Sequence, residues 1–412
     1  MTAVDVLRPA KGGLAGALMS FAIGHVDLAF RVLRRVKPIA TFGKTVLVTR
    51  HDDVREVFLG DVDFPVNYAG KLAVIMGGEP FFLGMDDGEA YRRDTGAMRL
   101  AVRRDDLAAL AAATAARAKA LADAAGVEGA GTLEVVDFSR QITFDVLCAY
   151  FGVTDPPGWD LRVLATRLFE FQFADPGNDP SLRAEADPMA KALRDHVDGL
   201  IAARKTSPGP DDVLGRCLAF QAQGLPGFSD TQIRSALIGF VVGGLPQPPM
   251  VAPQALEQLL RRPEALAKAR AAALAHDDIA LAGYVFEALR FDPLAPALMR
   301  VARHDRVIAA GTARATKVAA GSTVMVAFSS AMKDPRRLAD PARFDPTRPW
   351  SAYMHFGQGL HTCFGIHINR ALIPLMVKAL LVRDDLKRAP GKRGHLVKRG
   401  PFADQLWVTY RS

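Results

Sequence analysis

The stretch Phe356-Gly-Gln-Gly-Leu-His-Thr-Cys-Phe-Gly365 concentrates more chemistry than any other part of the chain. Gly357, Gly359 and Gly365 carry no side chain, so backbone can approach a flat ligand closely. Cys363 stands just before a run, Gly365 to Leu381, whose apolar residues recur at helical spacing. A helix start presents free N–H groups and the positive end of the helix dipole, which favour a thiolate over a thiol. A thiolate is what a soft axial ligand to iron must be. His361 falls, by its spacing, on the same surface as the glycines, where it could donate a hydrogen bond to a carboxylate. Two plainer readings compete. One is a Gly-rich turn with a buried cysteine. The other is a zinc site from His355, His361, Cys363 and His367, but zinc needs four converging ligands, the glycines would serve no purpose, and His367 lies beyond the loop.

Around this stretch the chain has 412 residues, half of them hydrophobic, enough for a large core. No Ser/Gly linker, low-complexity block or fixed-period repeat divides it. The expected organisation is one domain over residues 1–412, with 1–40 as a more loosely packed N-terminal extension. The net charge of +8 is spread along the chain, and no aromatic-interleaved basic motif of a nucleic-acid binder is present. Nucleic acid is therefore not an expected partner. Three cysteines, Cys148, Cys217 and Cys363, argue against a disulfide framework and for a reducing, cytoplasmic compartment. Cys148 and Cys217 sit in apolar runs and read as core.

Helical patterns dominate. They cover 104–125, 188–205, a segment from Thr231 with Ser229-Asp230 as cap, 281–291 and 365–381. Strands are few and short, at 45–49, 307–309 and 323–328, and 331–350 reads as an ordered irregular loop. Gly12 to Gly24 is apolar but shorter than a membrane span. Val26 to Val36, with Arg31, Arg34 and Arg35 interspersed, reads as a helix packed on the core, with a membrane-surface helix as the alternative.

The Cys363 stretch resembles the haem-binding loop of the cytochrome P450 family, Phe-Gly-x-Gly-x-His/Arg-x-Cys-x-Gly, and every fixed position matches. The resemblance runs from about residue 40 to the C-terminus and is sharpest after Thr231. It implies a mainly α fold, the cytochrome P450 helical prism with small β-sheets. Haem b would lie between the long distal helix and the Cys-loop helix, its iron bound by Cys363. Phe356 would pack beside the thiolate, Gly357 and Gly365 would shape the loop, and His361 would meet a propionate. Arg300 resembles the family's propionate clamp on the strand beside the haem. In Met85-Asp-Asp-Gly-Glu-Ala-Tyr-Arg-Arg93, Tyr91 stands where the family often has a propionate-binding His, and Arg92 or Arg93 would supply charge. Glu287-Ala-Leu-Arg290 resembles the Glu-x-x-Arg that braces the haem loop, and Arg343 in Pro341-Ala-Arg-Phe344 takes the place of the third, structural partner.

The sequence departs from the family at one point. The distal helix of P450-like monooxygenases carries Ala/Gly-Gly-x-Asp/Glu-Thr, whose acid and alcohol relay protons for O–O cleavage. Here that stretch is Gly243-Gly-Leu-Pro-Gln-Pro-Pro249. Gly243, Gly244 and Gln247 are the candidate catalytic residues, but Pro246 takes the acid position and Gln247 the alcohol position, and neither is a protic acid. Pro246, Pro248, Pro249 and Pro253 also remove backbone donors, so a kinked or unwound helix is expected.

Three functions stay open. The first is monooxygenation of a small apolar substrate, with dioxygen and electrons from an acidic ferredoxin and its reductase, docked on a basic face near Arg99, Arg103 and Arg104. The second is peroxygenase or hydroperoxide isomerase/dehydratase chemistry, which needs no dioxygen activation. No Arg lies between Ser235 and Leu260 to hold a fatty-acid carboxylate as the family's peroxygenases do. The third is a non-enzymatic haem sensor. Phe81, Phe82, Leu83, Leu294 to Leu298, Met299 and the aromatics of Leu168-Phe-Glu-Phe-Gln-Phe173 suggest an apolar substrate pocket.

Overall fold

Cap chemistry and prolines set where the main helices begin and end. Asp179 accepts from the Ser181 N–H and Pro180 supplies the first-turn φ, so the expected helix over 188–205 begins earlier and runs Pro180–Thr206 through Pro188. Ser229 and Gln232 form a reciprocal capping box that starts Asp230–Gly244. The computed structural model describes residues 6–8, 25–126 and 130–411. Helices also span Val26–Val36, His51–Leu59, Glu89–Ala101, Leu107–Ala124, Val135–Phe151, Leu161–Phe173, Pro248–Leu260, Asp278–Phe291 and Ile366–Leu381.

Four strands form the largest sheet: β1 (Ile39–Phe42), β2 (Thr45–Val48), β7 (Thr323–Val326) and β4 (Leu298–Val301). The β2–β7 pair is parallel and the others antiparallel. The sequence pattern extended β7 to 328, but the chain turns inward after Val326 into a buried helical turn, Phe328–Ala331. A second sheet pairs β3 (Ala130–Glu134), β11 (Trp407–Arg411) and β8 (Asp384–Arg388). Two hairpin-sized pairs, β5 (Arg306–Ile308) with β6 (Thr316–Val318) and β9 (Val397–Arg399) with β10 (Phe402–Gln405), complete the strands among the described residues.

One hydrophobic cluster extends in sequence from Val6 to Tyr410. The described part of residues 1–40 belongs to the body and is not a loose extension. Val6 and Leu7 are buried, and Arg8 bonds Asp179 at 3.2 Å. Arg34 donates to the carbonyl and hydroxyl of Ser330 at 2.8 and 2.7 Å. The apolar stretch Gly12 to Gly24 lies outside the described residues.

The Cys-loop helix Ile366–Leu381 packs against Leu107–Ala124, Pro248–Leu260 and Asp278–Phe291. The distal helix is interrupted at Leu245-Pro246-Gln247, between Asp230–Gly244 and Pro248–Leu260. Pro246, Pro248 and Pro249 cannot donate to the carbonyls of Val242, Gly244 and Leu245, one turn back. The stretch Asp230–Leu260 is apolar and long enough to cross a membrane, yet 83% of its most apolar window is buried inside the protein.

Candidate functional site

The loop before the Cys-loop helix is held by backbone and by three outside groups. Cys363 N–H donates to the Phe356 carbonyl at 2.9 Å, closing the loop on itself. Asp61 accepts from the Leu360 N–H at 2.9 Å, and the Tyr91 hydroxyl donates to the Leu360 carbonyl at 2.7 Å. Gly359 has φ +78° and lies against the Phe58 carbonyl, where a Cβ would collide, so no other residue fits. The His355 Nε2–H donates to the Phe286 carbonyl at 3.0 Å. Phe356 stacks on Trp350, and the neighbouring Phe364 stacks on Phe240 of the distal helix, ring centroids 5.3 Å apart.

Beneath this loop lies the Glu287–Arg290 pair, neither side chain exposed to solvent. Arg290 donates to both Glu287 oxygens at 2.6 and 2.9 Å and to the carbonyls of Met332, Pro341 and Arg343. Glu287 also accepts from the Asp345 N–H and the Tyr353 hydroxyl. Arg343 is not the third partner. Its carbonyl serves Arg290, while its side chain is 67% exposed beside Asp345. Phe344, next in sequence, packs inward on Phe291, which turns Arg343 outward. The cation that reaches Glu287 is Arg348, at 3.4 Å. The sequence signal was present in Asp345-Pro-Thr-Arg348-Pro, but spacing alone did not choose between the two arginines.

Arg300 on β4 is buried, and its guanidinium lies over the Phe58 ring. It donates a hydrogen bond to the Met299 carbonyl at 3.3 Å, and its Nε has no partner among the described residues. A buried guanidinium so poorly paired is costly unless an anion joins it. His361 Nδ1 is likewise buried and unsatisfied. Burial and then the Arg300 charge push the His361 imidazole down to about 4. Burial pushes the Cys363 thiol up to about 11, against the opposing pull of the Gly365 N–H. Tyr68, absent from the sequence reading, feels both Arg300 and Cys363, and burial pushes its phenol up to about 12. Nothing in its local sequence marked it, nor Asp61, because both are placed by long-range packing.

Two residues read as propionate contacts have partners within the protein. Tyr91 spends its proton on the Leu360 carbonyl and so tethers the loop. Arg92 is 65% exposed and pairs with Asp87 at 2.8 Å. On the distal side, Gly243 and Gly244 are half-buried with nothing within 4 Å of a built Cβ, unlike the fully buried residues just before them. Gln247 is half-buried, and its side chain makes no hydrogen bond among the described residues. Pro246 lines a void of about 10 Å³ with Arg140, Phe144 and Thr166.

Residues 167–403 match the sequence profile of the cytochrome P450 family. The chain belongs to the cytochrome P450 family. The relatives are distant. The 6-deoxyerythronolide B hydroxylase of Saccharopolyspora erythraea is 26% identical over 258 residues, 62% of this chain and 59% of that protein. A bifunctional dioxygenase–epoxy alcohol synthase of Pyricularia oryzae is 35% identical over 121 residues, 29% of this chain and 10% of that protein. The chain thus spans less than two thirds of the curated relatives it matches. The crystal structure of P450BioI with a hexadec-9Z-enoic acid–ligated acyl carrier protein has the same fold, with TM-score 0.80 at 20% identity over 96% of this chain and 99% of that one.

P450s are haem-thiolate proteins whose iron is bound through a cysteine. The residues here fit that group. Cys363 supplies the sulfur at a helix start, and the unsatisfied nitrogens of buried Arg300 and His361 suit carboxylates at the rim of a flat ligand.

Proposed function

We propose that this P450 is a monooxygenase acting on a small apolar substrate with dioxygen and electrons from an acidic redox partner in the cytoplasm. The observation that carries this reading is the arginine face around the start of the Cys-loop helix. Arg99, Arg104 and Arg370 are exposed, and none forms an ion pair among the described residues. Arg104 donates to His367 Nε2 at 2.9 Å, and Arg370 lies over Trp350 at 4.0 Å, so two of the three are held in place. Arg103 leans instead toward Asp211, at 3.9 Å. Such a face suits an acidic protein that must approach the cysteine side.

Haem bound through Cys363 supplies the oxygen-transfer chemistry. The chain's own residues hold the group and choose what reaches it. Cys363 would anchor it and Arg300 and His361 would take its carboxylates, while the tethers from Asp61 and Tyr91 fix the loop that presents the sulfur. Phe81, Phe82, Phe169 and Phe171 are fully packed core. Leu83, Phe173 and the strip from Leu294 to Met299 remain half-exposed and are the better substrate-facing candidates. All are apolar except for backbone. Gln247 is the polar group available beside Gly243 and Gly244 to hold a substrate or water oxygen, and protons would arrive through water.

The interrupted distal helix favours a second reading, in which an organic hydroperoxide supplies the oxygen. An unsaturated hydroperoxide and its epoxy alcohol are isomers, so that conversion requires neither dioxygen nor electrons. The acid–alcohol pair is then dispensable, which accords with Pro246 and Gln247 in its place. The epoxy alcohol synthase named among the fungal relatives supports the same route. One experiment separates the two. Haem-loaded protein is given NAD(P)H with ferredoxin and its reductase, or a fatty-acid hydroperoxide without reductant. Turnover only with reductant upholds the first reading, and rapid turnover only with hydroperoxide transfers the assignment to the second.

A further inference from the structure

Trp350 ties the surface beside the Cys-loop helix to the cysteine loop itself. It opens the short helical turn Trp350–Ala352 and is only partly buried. Its ring stacks on Phe356, centroids 5.9 Å apart at 29°, and meets Phe286 edge-on at 5.2 Å. Phe356 is joined in turn to Cys363, whose N–H donates to its carbonyl at 2.9 Å. On the outer side, the Arg370 guanidinium lies 4.0 Å from the centre of the indole, a cation–π contact from the Cys-loop helix. The indole N–H forms no hydrogen bond among the described residues and reaches solvent. A tryptophan that serves as core commonly hides its N–H against an acceptor, whereas one that leaves it open suits an interface.

We propose that Trp350 is the point where the electron enters. A reduced iron–sulfur protein docks against the open edge of Trp350 and Arg370, and its electron passes through the indole and the Phe356 ring to the Cys363 loop. This rests on the reductant-driven reading of the protein. Each event oxidises the partner's cluster by one electron and reduces the haem iron by one. No bond or proton moves, and the two rings only carry the coupling. Electron tunnelling falls steeply with distance and is weakest across gaps, so two rings in stacking contact connect better than solvent does. Trp and Arg side by side at a partly exposed position are also the pair that most often anchors a protein interface. Charge assigns the partner. Arg99, Arg104 and Arg370 are exposed and in no ion pair among the described residues, so the docked surface carries carboxylates. The free indole N–H can donate to one of them. Packing alone would account for the Phe286 contact, but not for an open N–H edge beside an unpaired cation.

The test is stopped-flow reduction of the full-length haem-loaded protein at rising ferredoxin concentration. Trp350→Leu and Trp350→Met should lower the limiting rate at saturation about tenfold, a barrier change of about 1.4 kcal/mol. Trp350→Phe keeps a ring and should recover most of that rate. Reduction by dithionite, which needs no docked protein, should proceed at the wild-type rate in all three variants. The midpoint potential and the absorption spectrum of the haem should also stay unchanged. A limiting rate that both aliphatic variants leave intact overturns the route, as does a loss that Trp350→Phe shares in full. A parallel loss of dithionite reduction, or a shifted potential, overturns it in favour of Trp350 as packing for the loop. A wild-type protein that ferredoxin cannot reduce, yet that consumes hydroperoxide, overturns the reductant-driven reading and the route with it.

Discussion

Arg290 and Glu287 meet through two hydrogen bonds, at 2.6 and 2.9 Å, with no solvent access to either side chain. Removing one partner leaves a buried charge uncompensated, which costs about 3–5 kcal/mol. Arg290→Leu is expected to unfold at much lower denaturant. Arg343→Ala should change stability by under about 0.5 kcal/mol, because its side chain is at the surface. Arg348→Ala should fall between the two. Urea titration of the three purified variants orders them. An Arg343 effect as large as that of Arg348 would reject the assignment.

Arg300 separates haem retention from stability of the bare chain. In Arg300→Leu a poorly paired buried charge disappears, so the haem-free protein should be as stable as the wild type or more so. Loss of a charged hydrogen bond to a carboxylate, worth about 1.5–3 kcal/mol, should speed haem loss roughly tenfold to a hundredfold. Transfer of haem to a scavenging apoprotein gives the rate, and thermal melts of haem-free protein give the stability. A variant that loses both in parallel points to a packing role only.

His355 should contribute to acid sensitivity. Burial pushes its imidazole from the usual 6.5 to about 4. The unfolded chain therefore binds the proton more readily between these values. Stability is fully present above about pH 6.5 and declines as pH falls toward 4. His355→Gln keeps a donor for the Phe286 carbonyl and removes the titration. Its denaturation midpoint should vary less than the wild type's across that window. Parallel profiles would show that His355 is not the group responsible.

The arginine face and Gln247 should respond oppositely to the choice of oxidant. Arg104→Glu with Arg370→Glu should slow ferredoxin-driven reduction about tenfold, with a weaker salt dependence. Turnover on hydroperoxide should be unchanged. Gln247→Leu removes a distal hydrogen-bond donor and should cut hydroperoxide turnover by about a hundredfold, while reduction by ferredoxin proceeds at the wild-type rate. Stopped-flow reduction and hydroperoxide consumption measure the two. If the arginine variant loses both activities equally, the face is structural.

The sequence by itself determined the elements governed by local chemistry. The glycine-cysteine loop could be read because its requirements are backbone conformation and a helix start, both set within ten residues. The break above Gly244 could be read because a proline's missing N–H acts on the carbonyl one turn back. Only the tertiary structure decided which side chains from distant segments meet. It chose Arg348 over Arg343 for Glu287, turned Arg92 to solvent, set Tyr91 as a tether for Leu360 and brought Asp61 to the same residue. It also decided which face of Val26–Val36 packs on the core, burying Phe30 and Arg34 and leaving Leu28, Val32 and Val36 outward. Helical spacing shows which residues share a face. Which face is buried depends on what the rest of the chain brings against it.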